Sequence, residues 1–372
     1  MKNRREFLST LAGTVAVVVV SPTTFAWAAE QFPSDITELY RDSVVIDTLC
    51  APFAGADDMP DNPVVETVRS SGVTAINFTI SAPTFDGTIE NLAYIDALVE
   101  HWPDVFIVVR KQTDIGLAKR EGKVGIMLGF QYTQFLESDR SRIELFRKLG
   151  VRIMQLTYNN RSIFGDGCLE PGNAGLSKAG IDAIHRMNEL GVAVDLSHSG
   201  YRTTSEAIAA SKKPVLITHS GCASIYAHPR SKPDDVMKAL ADKGGYFGVY
   251  LMPYLVASPT VPTREHVINH VLGAINICGA DHVGIGSDGS IQGVSLTPEQ
   301  KKSFDEDIAR RKKLGIGAPG EDRYPYVPDL NGPDYMEVIA AELKKRGQPS
   351  AVIEKVLGTN FQRIIGEIWG TA

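Results

Sequence analysis

The chain has 372 residues, a net charge of −6, 43% hydrophobic and 22% charged residues, which allows one large domain or two ordinary ones with a full core. An isoelectric point near 5.8, with the net negative charge, argues against a nucleic-acid surface. The four cysteines (Cys50, Cys168, Cys222, Cys278) show no CxxC spacing, which speaks against a disulfide scaffold or a zinc ribbon. A single disulfide stays open for an exported protein.

Residues 1–29 read as a signal peptide. "NRREFLSTLAGTVAVVVV" sets Arg4-Arg5 before an apolar segment, and "AWAAE" supplies the small-residue pattern Ala26-x-Ala28. The paired arginines followed by Glu6-Phe7-Leu8 resemble a twin-arginine (Tat) signal, with an ordinary Sec signal or an uncleaved anchor as alternatives. The expected location is therefore periplasmic or secreted. The Tat route carries folded proteins, often already loaded, which favours a metal or cofactor protein. No later stretch approaches the roughly 18 apolar residues of a membrane span.

Residues 30–372 then show short apolar runs separated by amphipathic stretches. The runs cover 44–49, 73–80, 105–109, 123–130, 151–158, 192–198, 214–220, 246–252 and 282–288. Helical patterns such as 178–191 and 233–245 lie between them, with Gly191 and Gly244 where helix C-terminal caps belong. Near-continuous apolar strands alternating with helices predict a parallel sheet buried on both faces. The spacing fits an α/β fold, an eight-stranded (β/α) TIM barrel with one extra piece, and 105–109 is the run to set aside. A doubly wound open sheet is the competing architecture, but no GxGxxG follows the first strand. Residues of about 290–335 form an insertion before the closing helices. It reads either as a lid over the barrel mouth or as a solvated excursion.

In such a barrel the site lies at the C-terminal strand ends. The polar residues closing the runs are Asp47, Gln131, Tyr158, His198, His219 and Asp288. A lone strand-end histidine is usually structural, but His198 and His219 on adjacent strands with a terminal Asp288 point to a site. Neutral imidazoles are the commonest zinc ligands, and a catalytic zinc needs about three protein ligands and an open position. Gln131 could add only an amide oxygen. The metal would acidify water, and Asp288 could take the proton and return it to a leaving amine.

From about residue 42 to 367 the chain resembles the membrane (renal) dipeptidases, peptidase family M19. The resemblance rests on "GLSKAGIDAIHRMNELGVAVDLSHSG", "KPVLITHSGCASIYAHPRSKPDDVMKAL", "DHVGIGSDGS" and "GTNFQRII", in that order. It implies a (β/α)8 barrel of the metal-dependent hydrolase type, a two-zinc site and dipeptide hydrolysis. It also implies that His198 and His219 bind the second zinc, Arg230 the substrate carboxylate, and that Asp288 sits by the scissile bond. Family members are often dimers, so a homodimer is an open expectation.

The chain departs from the family pattern at the first zinc. Leu49 and Ala51 stand where the family's "DGHxD" carries ligands, Gln131 stands for the bridging glutamate, and Tyr158 for the histidine of "LTHN". Leu and Ala offer no lone pair, so the first zinc should be lost. Asp47 shares their strand parity but lies about 6.5 Å deeper by the strand rise. Cys50 has the wrong parity unless a bulge turns it inward. The mouth loop 161–175, with Asp166, Cys168 and Glu170, is a possible source of replacement ligands.

The resulting expectation is a metal-activated hydrolase of a dipeptide or other small carboxylate-bearing amide. One divalent ion, zinc or similar, would sit on His198 and His219 with Gln131, Asp288 and Tyr158 would be the catalytic groups, and Arg230, whose fork fits a carboxylate, would bind substrate. Two alternatives remain. One is a metal-free acid–base enzyme of isomerase or tautomerase type, acting on an exported metabolite. The other is a non-catalytic small-molecule-binding homologue.

Overall fold

The computed structural model describes residues 30–53, 59–136, 139, 141–295 and 297–370. The expected signal peptide, 1–29, lies outside the described residues. Eight parallel strands close into a ring: β1 (Ile46–Asp47), β2 (Ala75–Thr79), β3 (Val124–Phe130), β4 (Val151–Gln155), β5 (Ala193–Asp195), β6 (Leu216–Cys222), β7 (Tyr246–Val249) and β8 (Val283–Ile285). Each pairs with its sequence neighbour, and β8 returns to β1 through Ile285 opposite Asp47. The fold is a (β/α)8 TIM barrel, as the alternation of buried runs and helices predicts.

The set-aside run forms a strand, Phe106–Val109, but it is not in the ring. It pairs with Val124–Met127 of β3, while β4 takes Leu128–Phe130 of the same strand. One edge of β3 is thus shared by two short partners. Strand boundaries are shorter than the apolar runs because several runs continue as buried mouth loops. Leu196–Ser199, for example, is wholly buried but lies beyond β5.

Local chemistry sets the helices. Helix Lys178–Leu190 starts at Ser177, whose hydroxyl accepts from Gly180 N at 3.0 Å, and stops at Gly191 with φ 64°. The left-handed cap suits glycine, which has no Cβ to clash. The C-terminal helix Asn360–Trp369 turns Phe361, Ile364, Ile365 and Ile368 onto Ile46, Ala75, Met127, Ile153, Ala193 and Leu216. These strand residues come from six different strands, so this amphipathic helix plugs the end of the barrel opposite the mouth.

The barrel interior is tight around Thr48. Its hydroxyl lies 2.7 Å from the Thr218 carbonyl and 3.0 Å from that of Ile285. A methyl group at Gly248 would sit 2.0 Å from the Thr218 oxygen and 2.8 Å from Thr48 Oγ1. Both neighbours are buried and bonded, so neither can give way. Gly248→Ala is therefore expected to cost about 2 kcal/mol or more, read as a lowered midpoint in chemical denaturation. A shift equivalent to less than about 0.5 kcal/mol would show a looser barrel than described.

The insertion folds as helix Pro298–Leu314, irregular chain, a 3₁₀ turn at Pro328–Leu330, and then helix Tyr335–Lys345. Phe304, Ala318, Val327 and Leu330 are buried. Arg323 donates to the carbonyls of Val256 at 3.0 Å and Thr260 at 3.2 Å. The segment is packed onto the mouth loops and is not a solvated excursion.

Candidate active site at the barrel mouth

Asp195, the last residue of β5, organises the two histidines. Its Oδ1 accepts from Ser197 N at 3.0 Å and Thr218 N at 3.1 Å, and its Oδ2 accepts from Thr218 Oγ1 at 2.7 Å. This carboxylate laces the end of β5 to β6 at Thr218. Burial raises its pKa and its hydrogen bonds oppose the rise. His198 and His219 follow directly, both essentially unexposed, with ring centroids 5.0 Å apart at 61°.

Their surroundings favour neutral rings. Burial, reinforced by the nearby Arg230 charge, pushes each imidazole well below its ordinary pKa. His198 Nδ1 lies 2.7 Å from Asn159 Oδ1, and His219 Nδ1 lies 2.9 Å from Thr218 Oγ1. Thr218 directs its own proton to Asp195, so its oxygen accepts from His219. Each ring then carries its proton on Nδ1 and a lone pair on Nε2. Both Nε2 atoms are buried without a partner. A buried nitrogen lone pair left unmatched is costly unless something binds it.

Asp288 stands at the mouth beyond β8 in a left-handed conformation, φ 59°, which Asp tolerates better than most residues. Its N–H donates to Leu49 O at 2.8 Å, and its Oδ1 accepts from Gln131 Nε2 at 3.2 Å. Burial raises its pKa to about 7, against the pull of Arg230 and the Gln131 bond. Gln131 is held by its own N–H, which donates to Thr79 Oγ1 at 3.1 Å and Ser81 Oγ at 3.2 Å, and its carbonyl accepts from Gln155. The structure thus ties Gln131 to the candidate acid–base group.

Arg230 is almost unexposed. One Nη donates to the His219 carbonyl at 3.3 Å, the guanidinium lies 5.8 Å from the Tyr250 ring centroid, and Nε has no partner. Tyr158 stacks on His198, with centroids 4.1 Å apart at 21°, so it shields one face of that ring. Burial pushes its phenol pKa up.

Where the family pattern would place first-zinc ligands, the side chains have other tasks. Leu49 is buried. Asp47 accepts from Leu49 N at 3.1 Å, Ser287 N at 2.9 Å and Tyr335 Oη at 2.6 Å, so it clamps β1 to β8 and to the closing helices. Burial raises its pKa to about 6. In the 161–175 loop, Asp166 pairs with Arg161 at 2.8 Å and Glu170 accepts from Arg161 N at 2.8 Å. Cys168 Sγ donates to Asn159 Oδ1 at 3.5 Å. All four cysteines are unpaired. Among the described residues, no group of three or more His, Cys, Asp and Glu is placed to hold a metal ion. The residues therefore do not fit a two-zinc centre. The Nε2 atoms of His198 and His219 are left buried and without a hydrogen-bond partner.

Other residues at this site carried no strand-end signal. Asn159 is fully buried, and its Nδ2 donates to Ile316 O at 3.0 Å and Glu321 Oε1 at 3.3 Å. Arg311 and Glu321, both from the insertion, form an ion pair. His228 Nε2 donates to Pro319 O at 2.6 Å, and its Nδ1 accepts from Arg230 N at 3.1 Å. Lys232 donates to Ser199 O at 2.6 Å, and burial lowers its pKa to about 7. Asn159 sits beside Tyr158 in "LTYNN" and Asp195 opens "DLSH", so both were within reach of a motif reading. Arg311 and Glu321 were not.

Comparison with known proteins matches this geometry to a family. The family model for "Membrane dipeptidase (Peptidase family M19)" matches residues 69–306. Dipeptidase verJ of Clonostachys rogersoniana is 30% identical over 286 residues, 76% of this chain and 65% of that protein. Dipeptidase tcpJ of Claviceps purpurea is 28% identical over 284 residues, 76% of this chain and 60% of that protein. The chain thus spans less than two thirds of these relatives' length. A crystal structure of an amidohydrolase from Pseudomonas aeruginosa is 32% identical with a TM-score of 0.77, covering 90% of this chain and 99% of that one. A metallopeptidase from Rhodobacter sphaeroides, solved with a phosphinate mimic of L-Ala-D-Ala, shares the fold at 16% identity and a TM-score of 0.71, covering 88% of this chain and 100% of that one. The chain belongs to the membrane dipeptidase family, peptidase family M19.

Proposed function

We propose that the protein is a divergent dipeptidase-like hydrolase of small carboxylate-bearing amides, dipeptides included, with one divalent ion, zinc or similar, held by His198 and His219. The observation that carries this reading is the pair of buried, unpartnered Nε2 lone pairs, each fixed by a bond at Nδ1. When bound, such an ion supplies Lewis acidity toward a carbonyl and acidifies water. Arg230, buried with an unpartnered Nε, receives the substrate carboxylate. Asp288, with its pKa near 7, holds a proton at Oδ and releases it at neutral pH. Gln131 keeps that carboxylate aimed, and Tyr158 covers His198. The Arg4-Arg5 segment supports export to the periplasm or beyond; no helix among the described residues is long and apolar enough to cross a membrane.

A metal-free acid–base enzyme is the second reading, favoured because no third His, Cys, Asp or Glu among the described residues joins the two histidines as a metal donor. Metal content and dipeptide hydrolysis, measured together on the wild type, His198→Ala and His219→Ala, separate the two. One ion per chain is expected, absent from both variants, with hydrolysis falling to background in step. A metal-free wild type without dipeptide hydrolysis, even with added zinc, would overturn the first reading. Two ions per chain would refute the account of Leu49 and Ala51.

A further inference from the structure

We infer that Asn159 and Glu321 are positioning residues for His198: docking of the insertion at Ile316–Glu321 selects the His198 tautomer that offers its Nε2 lone pair to the site. The Asn159 amide has only one workable orientation. Its Nδ2 faces two acceptors from the insertion, the Ile316 carbonyl and Glu321 Oε1. Turning the amide over would set its oxygen against both. With Nδ2 committed to the insertion, Oδ1 must face His198 Nδ1 and accept, which forces the proton onto Nδ1. Without that constraint a neutral imidazole divides between two tautomers, one of which closes Nε2.

Glu321 holds the docked segment together. Its carboxylate accepts from Asn159, Arg311 and Ala318 N. The same stretch has a second point of purchase: the Pro319 carbonyl accepts from His228, whose other nitrogen receives the Arg230 N–H. Six consecutive residues of the insertion therefore buttress both the candidate metal-binding histidine and the candidate carboxylate-binding arginine. His219 is different. Its Nδ1 partner, Thr218, belongs to β6 and is fixed by Asp195, so it needs nothing from the insertion. One histidine of the pair is set by the barrel and the other by the insertion.

The consequence for activity rests on the proposed function, but the test does not. Nitrogen-15 NMR of the histidine side chains reads tautomers in the metal-free protein. In the wild type, both His198 and His219 are expected as single Nδ1–H tautomers. In Asn159→Ala and Glu321→Ala, His198 is expected to show averaging between tautomers while His219 keeps its signature. Glu321→Gln retains an acceptor for Asn159 and should restore the wild-type pattern. Zinc affinity, titrated with zinc alone, should fall about 10- to 100-fold in both alanine variants. If Asn159→Ala does not fold, Glu321→Ala, which leaves the barrel side chains intact, carries the test. An unchanged His198 tautomer in the alanine variants would overturn the inference, as would equal averaging at His219. Neither result would touch the hydrolase reading, whose failure shows instead as missing metal and missing turnover in the wild type.

Discussion

Asp288→Asn is expected to lower kcat by about 10²–10⁴-fold while making the protein more stable at alkaline pH. Both effects come from one half-buried carboxyl group. As the proton carrier it must ionise near neutrality, and its pKa of about 7 means that wild-type activity should rise through pH 7. Stability runs the other way. The folded-state pKa lies above the unfolded value of 3.8, so the favourable contribution of the protonated form is present below about pH 4 and is lost as pH rises through 7. Asn is the same shape, stays neutral, keeps an oxygen for Gln131 and tolerates the left-handed backbone. At pH 8 the variant should gain about 1–3 kcal/mol over wild type, and at pH 4 the gain should nearly vanish. Denaturation at the two pH values, beside a pH–rate profile, checks both halves. An active variant with a flat stability difference would remove Asp288 from the role given to it.

Arg230→Met is expected to lower kcat/KM for a dipeptide by about 10²–10³-fold, mostly through KM. The guanidinium is buried, one Nη holds the His219 carbonyl, and Nε waits without a partner. That arrangement suits a carboxylate taken up in bidentate fashion. The decisive comparison uses each dipeptide beside its C-terminal amide. The wild type should prefer the acid by about 10²-fold, and the variant should treat acid and amide alike. Arg230→Lys should not restore the preference, because an ammonium lacks the planar fork. Equal handling of acid and amide by the wild type would show that Arg230 serves the fold instead.

The barrel was readable because its signal is periodic and local. The ring strands are largely buried, so the apolar runs at 73–80, 123–130 and 214–220 stand out without knowledge of their neighbours. The short run at 105–109 also looked like a strand, and only pairing shows that it borrows half of β3's edge. Leu49 and Ala51, standing where the family pattern carries ligands, were equally legible as side chains that cannot donate to a metal. Reading Asp47 merely as too deep to replace them missed its work in clamping Tyr335, 288 residues away.

Sequence alone determined the alternation of buried strands and helices, the two imidazoles at adjacent strand ends, and the apolar residues where metal ligands are expected. These follow from residue type and period, which a single chain displays directly. Tertiary structure alone decided which nitrogen of each histidine is free, why Asp288 titrates near neutrality, and that the insertion supplies Arg311 and Glu321 to the mouth. Each of those depends on burial or on a hydrogen bond between residues far apart in the chain, as with Asn159 and Ile316, 157 positions apart. Such bonds leave no period in the sequence, because their geometry exists only once the ring has closed.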